Sequence, residues 1–272
     1  RSTTGQAVPL QYTLPQVSGG TAPVGLRCSP ALGTPVAIGL TSVTCTATDA
    51  RSQTASCTFP VTVAIAPSLI VERFLAMGDS FTFGVTSRLP AREIPGGTFV
   101  SKLEYLLAER YPDQRFSLTN AGVPGLWMEE IEDRYPAGLR QSDAQVVILQ
   151  GGANDLNAVG ARAVNDVVMR FERMTRDAQG RGVAVILSTL TPHRPGSLRG
   201  SSSELVRETN VRIRDLCLRY RTGCADLYAA FGDEQSPLIG TDGLHPTPAG
   251  YDVIAETYFE VIRSMFERLP SS

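Results

Sequence analysis

The chain has 272 residues, a formal net charge of −2, 42% hydrophobic and 19% charged residues. This composition excludes wholesale disorder and supplies no bulk positive field for nucleic acid or an anionic membrane. No run approaches the roughly 18 apolar residues that a transmembrane helix needs.

Residues 1–66 form the first expected domain. Charge is sparse there, and Val, Thr, Ala, Ser and Pro dominate. Apolar and polar residues alternate in Val43-Thr44-Cys45-Thr46-Ala47 and in Cys57-Thr58-Phe59-Pro60-Val61-Thr62-Val63. Period two over short runs predicts antiparallel strands, with Asp49-Ala50-Arg51-Ser52 as the turn between them. Pairing outward from that turn sets Cys45 opposite Cys57, so a Cys45–Cys57 bridge is geometrically open. Several short strands predict a small all-β sandwich. The stretch from Cys28-Ser29-Pro30 through Val43–Ala50 to Ala55–Phe59 resembles the hyalin-repeat (HYR) module, which is immunoglobulin-like. The resemblance implies a Cys28–Cys57 disulfide. Three cysteines in such a region suit an exported protein, secreted or periplasmic, whose signal peptide has been removed. The domain is expected to act as a spacer, a stabiliser or a protein or surface contact, with shaping of the pocket entrance as the alternative.

Residues 67–272 form the second expected domain. Val71–Met77, Phe116–Thr119, Ala144–Leu149, Val183–Leu187 and a short Cys224–Asp226 read as five strands, several apolar enough to be buried on both faces. Helical spacing links Phe99, Leu103, Leu106 and Leu107, then Val164, Val167, Phe171, Met174 and Ala178. It also links Val206, Ile213, Leu216, Cys217 and Tyr220, and finally Tyr251, Ile254, Tyr258, Ile262, Met265 and Leu269. Ser201 and Glu204 suggest a capping box, and Thr247 with Pro248 a second helix start. Strands alternating with helices predict an α/β domain with a parallel sheet. Cys217 and Cys224 are either a local disulfide or two buried thiols.

The chemistry is expected at the carboxyl edge of that sheet, where ligands bind in open parallel sheets. Gly78-Asp79-Ser80 follows the first strand, Asn120-Ala121-Gly122 the second, and Gly151-Gly152-Ala153-Asn154-Asp155 the third. Asp242-Gly243-Leu244-His245-Pro246 precedes the last helix. An Asp three residues before a His can orient the same imidazole when the loop turns. These four blocks, in this order, resemble the SGNH/GDSL hydrolase family across about residues 72–268. The resemblance implies a flavodoxin-like three-layer α/β/α sandwich with a five-stranded parallel sheet, and ester hydrolysis without metal or cofactor. It implies Ser80 as nucleophile, His245 as general base and Asp242 as its orienting partner. The oxyanion donors would be the Ser80 and Gly122 N–H groups and the Asn154 amide.

Asp79 reads as a structural turn residue and Asp155 as an Asx-turn residue. His193, the only other histidine, reads as a solvated loop residue. Phe81, Phe83, Trp127 and Met128 suit either an acyl pocket or plain core. Residues 85–98 and 192–202 are the loops expected to set specificity. The substrate is expected to be a small-molecule or polymer-linked ester. A carbohydrate O-deacetylase, a lysophospholipase and a non-catalytic adhesion or binding module are the alternatives. No HExxH, P-loop, GxGxxG or GxSxG motif occurs.

Overall fold

The computed structural model describes residues 1–2, 5–87 and 97–268. Leu269, and the part of the expected specificity loop within residues 88–96, lie outside the described residues. The chain divides into two compact units, Arg1–Ser68 and Leu69–Glu267.

The N-terminal unit contains a three-stranded antiparallel sheet. Its strands are β1 (Gly25–Ser29), β2 (Gly39–Thr48) and β3 (Thr54–Val63), with β2 in the centre. Val8–Pro9 pairs separately with Pro35–Val36. Leu10, Val36, Val43, Cys45 and Val63 form its small core. The turn forms where expected: Asp49 Oδ1 accepts the N–H groups of Arg51 and Gln53, which closes the β2–β3 connection. Register corrects the expected disulfide. Cys45 on the central strand faces Cys28 on one side and Cys57 on the other. Cys28 and Cys57 are thus two strand spacings apart, roughly 9–10 Å, beyond the reach of a disulfide of about 7 Å. The bridge joins Cys28 to Cys45, and Cys57 is an exposed free thiol.

The second unit is an α/β fold around five parallel strands: β4 (Arg73–Gly78), β5 (Ser117–Gly122), β6 (Val146–Leu149), β7 (Ala184–Ser188) and β8 (Gly223–Ala225). Their order across the sheet is β5-β4-β6-β7-β8. Counted along the chain this is 2-1-3-4-5, which reverses direction between the first and third strands and opens a crevice there. The helices are α1 (Ser80–Phe83), α2 (Phe99–Arg110), α3 (Met128–Ser142), α4 (Ala153–Val159), α5 (Ala161–Gly180), α6 (Ser203–Tyr220), α7 (Leu227–Phe231) and α8 (Pro248–Phe266). They pack in two groups, α2 against α8 and α5 against both α3 and α6. All four residues of β6 are buried, as a strand covered on both faces requires.

Local chemistry explains the helix starts. The Thr247 hydroxyl accepts the Gly250 N–H and Pro248 opens α8, as the sequence predicts. The start of α6 differs. Ser202, not Ser201, caps it by accepting the Leu205 N–H, and Ser201 is engaged elsewhere. Cys217 and Cys224 form a disulfide between the end of α6 and β8. Among the described residues no helix is long and apolar enough to cross a membrane.

Candidate active site

The crevice between β4 and β6 receives Ser80 from the end of β4 and Asn154 from the residues after β6. Ser80 opens a single-turn helix capped on both sides. Asp79 Oδ1 accepts the Phe81 N–H, and Gly84 at φ 105° ends the turn. A side chain there would strain the backbone, so glycine is required. The turn lies tightly on the sheet. A Cβ at Gly122 would come within 2.2 Å of the Phe83 nitrogen, and one at Gly78 within 2.2 Å of the Thr82 hydroxyl. The Asn120 amide clips the turn to β5 by donating to the Thr82 carbonyl at 2.7 Å.

His245 arrives on the loop before α8. That loop closes on itself: the Gly240 N–H donates to the His245 carbonyl and the Thr247 N–H to the Leu238 carbonyl, both at 2.8 Å. Arg194 clamps it from outside, its guanidinium donating to the carbonyls of Ser236, Ile239 and Gly240. Phe81 lies beside the imidazole, with ring centroids 5.7 Å apart.

The result is a continuous relay. Asp242 Oδ2 lies 2.6 Å from His245 Nδ1, and His245 Nε2 lies 2.8 Å from Ser80 Oγ. All three residues are buried. Burial alone would raise the Asp242 carboxyl. Hydrogen bonds from the His245 ring and from the Leu244 and His245 N–H groups outweigh it and hold the carboxyl below its ordinary value. An ionised carboxylate only accepts, so Nδ1 carries the imidazole proton. Nε2 is then the acceptor for the Ser80 hydroxyl, the geometry a general base needs.

The relay opens into a pocket of about 240 Å³, lined by Ser80, Asn154, Gly125, Arg199, Asp242 and His245 among others. Asn154 uses one amide hydrogen on the Leu126 carbonyl at 2.9 Å, which leaves its second hydrogen for a ligand. Gly122 stands differently from the expectation. Its N–H donates to Asn120 Oδ1 at 3.0 Å, and its missing Cβ serves close packing against α1. Gly125 does line the pocket, at φ 83°, and its N–H has no partner among the described residues. The signal for it was in the sequence, since Val123-Pro124-Gly125 extends the loop after β5, but Asn-Ala-Gly drew the assignment three residues early.

The surrounding polar residues also settle into definite roles. Asp79 caps the nucleophile turn, as expected, and burial raises its carboxyl. Asp155 is not a local turn residue: both carboxylate oxygens accept the Met128 N–H, tying α4 to the start of α3. Burial raises its pKa to about 6. His193 is fully buried rather than solvated. Its Nδ1 accepts the Ser201 N–H, and Nε2 has no partner among the described residues. Burial lowers its pKa to about 4. Phe81 and Met128 are core, Phe83 is partly buried, and Trp127 is 41% exposed.

Comparison with known proteins agrees with this architecture. No curated protein sequence matches the chain. Among solved structures, the lipase/acylhydrolase of Enterococcus faecalis is similar with a TM-score of 0.63 at 20% identity, over 74% of this chain and 100% of the other. An acetyl-xylooligosaccharide esterase variant (Axe2, R55A) from Geobacillus stearothermophilus gives 0.59 at 18% identity, over 70% and 94%. A GDSL-like lipase from Bacteroides thetaiotaomicron gives 0.57 at 18% identity, over 71% and 88%. At such identities the likeness speaks for the fold. The pattern of the GDSL-like Lipase/Acylhydrolase family matches residues 76–253, a span that holds all the residues of the relay. The chain therefore belongs to the GDSL-like lipase/acylhydrolase family and is an ester hydrolase.

Proposed function

We propose that the protein hydrolyses carboxylic esters through an acyl-enzyme on Ser80. The observation that carries this reading is the unbroken Asp242–His245–Ser80 relay at 2.6 and 2.8 Å. His245 Nε2 takes the hydroxyl proton as Ser80 Oγ attacks the carbonyl carbon. Asp242 keeps the ring in the required tautomer and stabilises the imidazolium that forms. The oxyanion receives hydrogen bonds from the Ser80 N–H, the Asn154 amide and the Gly125 N–H, the last in place of Gly122. Each such donor contributes roughly 3 kcal/mol of transition-state stabilisation. His245 then gives its proton to the leaving alkoxide, and water repeats the sequence to release the acid.

A pocket of about 240 Å³ favours a short acyl group. Carbohydrate O-deacetylation on the same site is the second reading, supported by that pocket size and by the fold likeness to an acetyl-xylooligosaccharide esterase. The N-terminal unit is read as an immunoglobulin-like HYR module that contacts a protein or surface. Its antiparallel strands and small disulfide-bearing core support this. Two disulfides support an exported, secreted or periplasmic protein.

The test is labelling with a fluorophosphonate followed by peptide mass spectrometry. The adduct is expected on Ser80 and absent from His245→Ala. An active enzyme modified elsewhere would overturn the assignment.

A further inference from the structure

One charged group in the catalytic pocket has no role in the relay. Arg199 is exposed and lines the pocket together with Ser80, Asn154 and His245. Among the described lining residues it is the only cation, and Asp242 is the only anion. The Asp242 carboxylate is already engaged by His245 and by two backbone N–H groups. The Arg199 guanidinium has no hydrogen bond or ion pair among the described residues. The other arginines close to this loop differ. Arg194 clamps three carbonyls and Arg207 pairs with Glu234.

The backbone that carries Arg199 is fixed on both sides. Its N–H donates to the Asp242 carbonyl at 3.0 Å, and its carbonyl accepts from the Asn157 amide at 2.7 Å. Gly200 follows with its α-carbon tight against the backbone of Arg194, where a Cβ would fall 2.0 Å from the carbonyl oxygen. Arg199 therefore lines the pocket on a pinned main chain, with a guanidinium unpaired among the described residues.

That position selects one half of the ester. The leaving alkoxide must lie by His245 Nε2 to receive its proton. The carbonyl oxygen must point to the donors at Gly125 and Asn154. Arg199 stands at the exposed rim between Asp242 and Asn157, and a short acyl group held at the donors carries no charge out to it, so the substrate group that reaches the rim belongs to the alcohol half. A guanidinium presents paired donors that match carboxylate and phosphate oxygens.

We propose that Arg199 makes the enzyme selective for esters whose alcohol portion carries an anionic oxygen group, a carboxylate or a phosphate. This rests on the Ser80 reading above. Three acetate esters test it: 4-acetoxybenzoate, 4-acetoxyphenyl phosphate and the neutral 4-acetoxybenzamide. The wild-type enzyme should favour at least one anionic ester by kcat/KM, and the two anionic probes distinguish carboxylate from phosphate. Arg199→Gln should lower the anionic-to-neutral ratio of kcat/KM about tenfold, the scale of one partly exposed charge-assisted bond. Arg199→Lys should restore part of the ratio, and added salt should shrink it. Each ratio cancels the amount of folded enzyme, comparing the ratio between wild type and variant cancels differences in leaving-group reactivity, and the wild-type preference is taken after dividing by the uncatalysed hydrolysis rates. A wild type without anionic preference, or a ratio that Arg199→Gln leaves unchanged, overturns the proposal. Hydrolysis of all three esters by Ser80→Ala would instead overturn the reading on which it rests.

Discussion

Three side chains in the pocket form one relay, and each contributes differently to turnover. Removing the attacking oxygen in Ser80→Ala should lower kcat by roughly 10⁶, whereas Asp242→Asn, which permits the wrong tautomer, should lower it by roughly 10⁴. Steady-state kinetics on protein with unchanged circular dichroism checks both. His193 leads to a stability prediction. Its folded pKa of about 4 lies below the unfolded value of about 6.5. The unfolded chain therefore binds the extra proton in that interval. Stability held by neutral His193 is complete above about pH 6.5 and is lost as pH falls through about 4. Asp155, raised to about 6, acts in the opposite sense: its contribution is present below about pH 4 and is lost as pH rises through about 6. A comparison with His193→Gln isolates the first effect. The variant should lose less melting temperature than the wild type between pH 7 and pH 4.5. Parallel curves would exclude His193 as the source. The relay was legible in the sequence; the burial of His193 was not, because it depends on tertiary contacts such as the Ser201 N–H on its Nδ1.

The nucleophile turn and the sheet edge meet through glycine. Gly122→Ala would set a methyl 2.2 Å from the Phe83 nitrogen and 2.6 Å from the Thr82 carbonyl carbon. Overpacking of this kind costs about 1–3 kcal/mol, so a melting temperature several degrees lower is expected in calorimetry. Gly125→Ala meets no atom within 4 Å but must hold φ near 83°. It should disturb the aim of its N–H and reduce kcat/KM more than it reduces melting temperature. If the two variants behave alike, the exchange of Gly122 for Gly125 as donor is wrong. The five strands were readable because buried runs such as Val146–Leu149 are apolar on both faces. Helix α3 was not: Met128–Ser142 carries six charged residues in fifteen and holds Pro136 internally. Helix α4 was hidden for another reason, since its first turn is the Gly-Gly-Ala-Asn-Asp motif itself, which reads as a loop. The four motif blocks were legible because each lies where a strand ends or a helix begins. The disulfide implied by family resemblance failed because a three-stranded register separates Cys28 from Cys57 by a whole strand.

At the scale of the molecule, every group of the relay and its supports lies within Leu69–Glu267, which has a core of its own. A chain beginning at Pro67 is expected to fold and to keep its kcat/KM on small neutral esters. A large loss of activity in that fragment, with its secondary structure intact, would give the N-terminal unit a part in the chemistry. The hydroxyl and the imidazole that meet at 2.8 Å are 165 positions apart in the chain. No shorter nascent or proteolysed piece lacking the segment that leads into α8 can bring them together. Parallel sheets with such distant partners assemble late, after their local helices. Regain of ester turnover during refolding should therefore trail the recovery of helical ellipticity, which makes the enzyme its own reporter of completed folding.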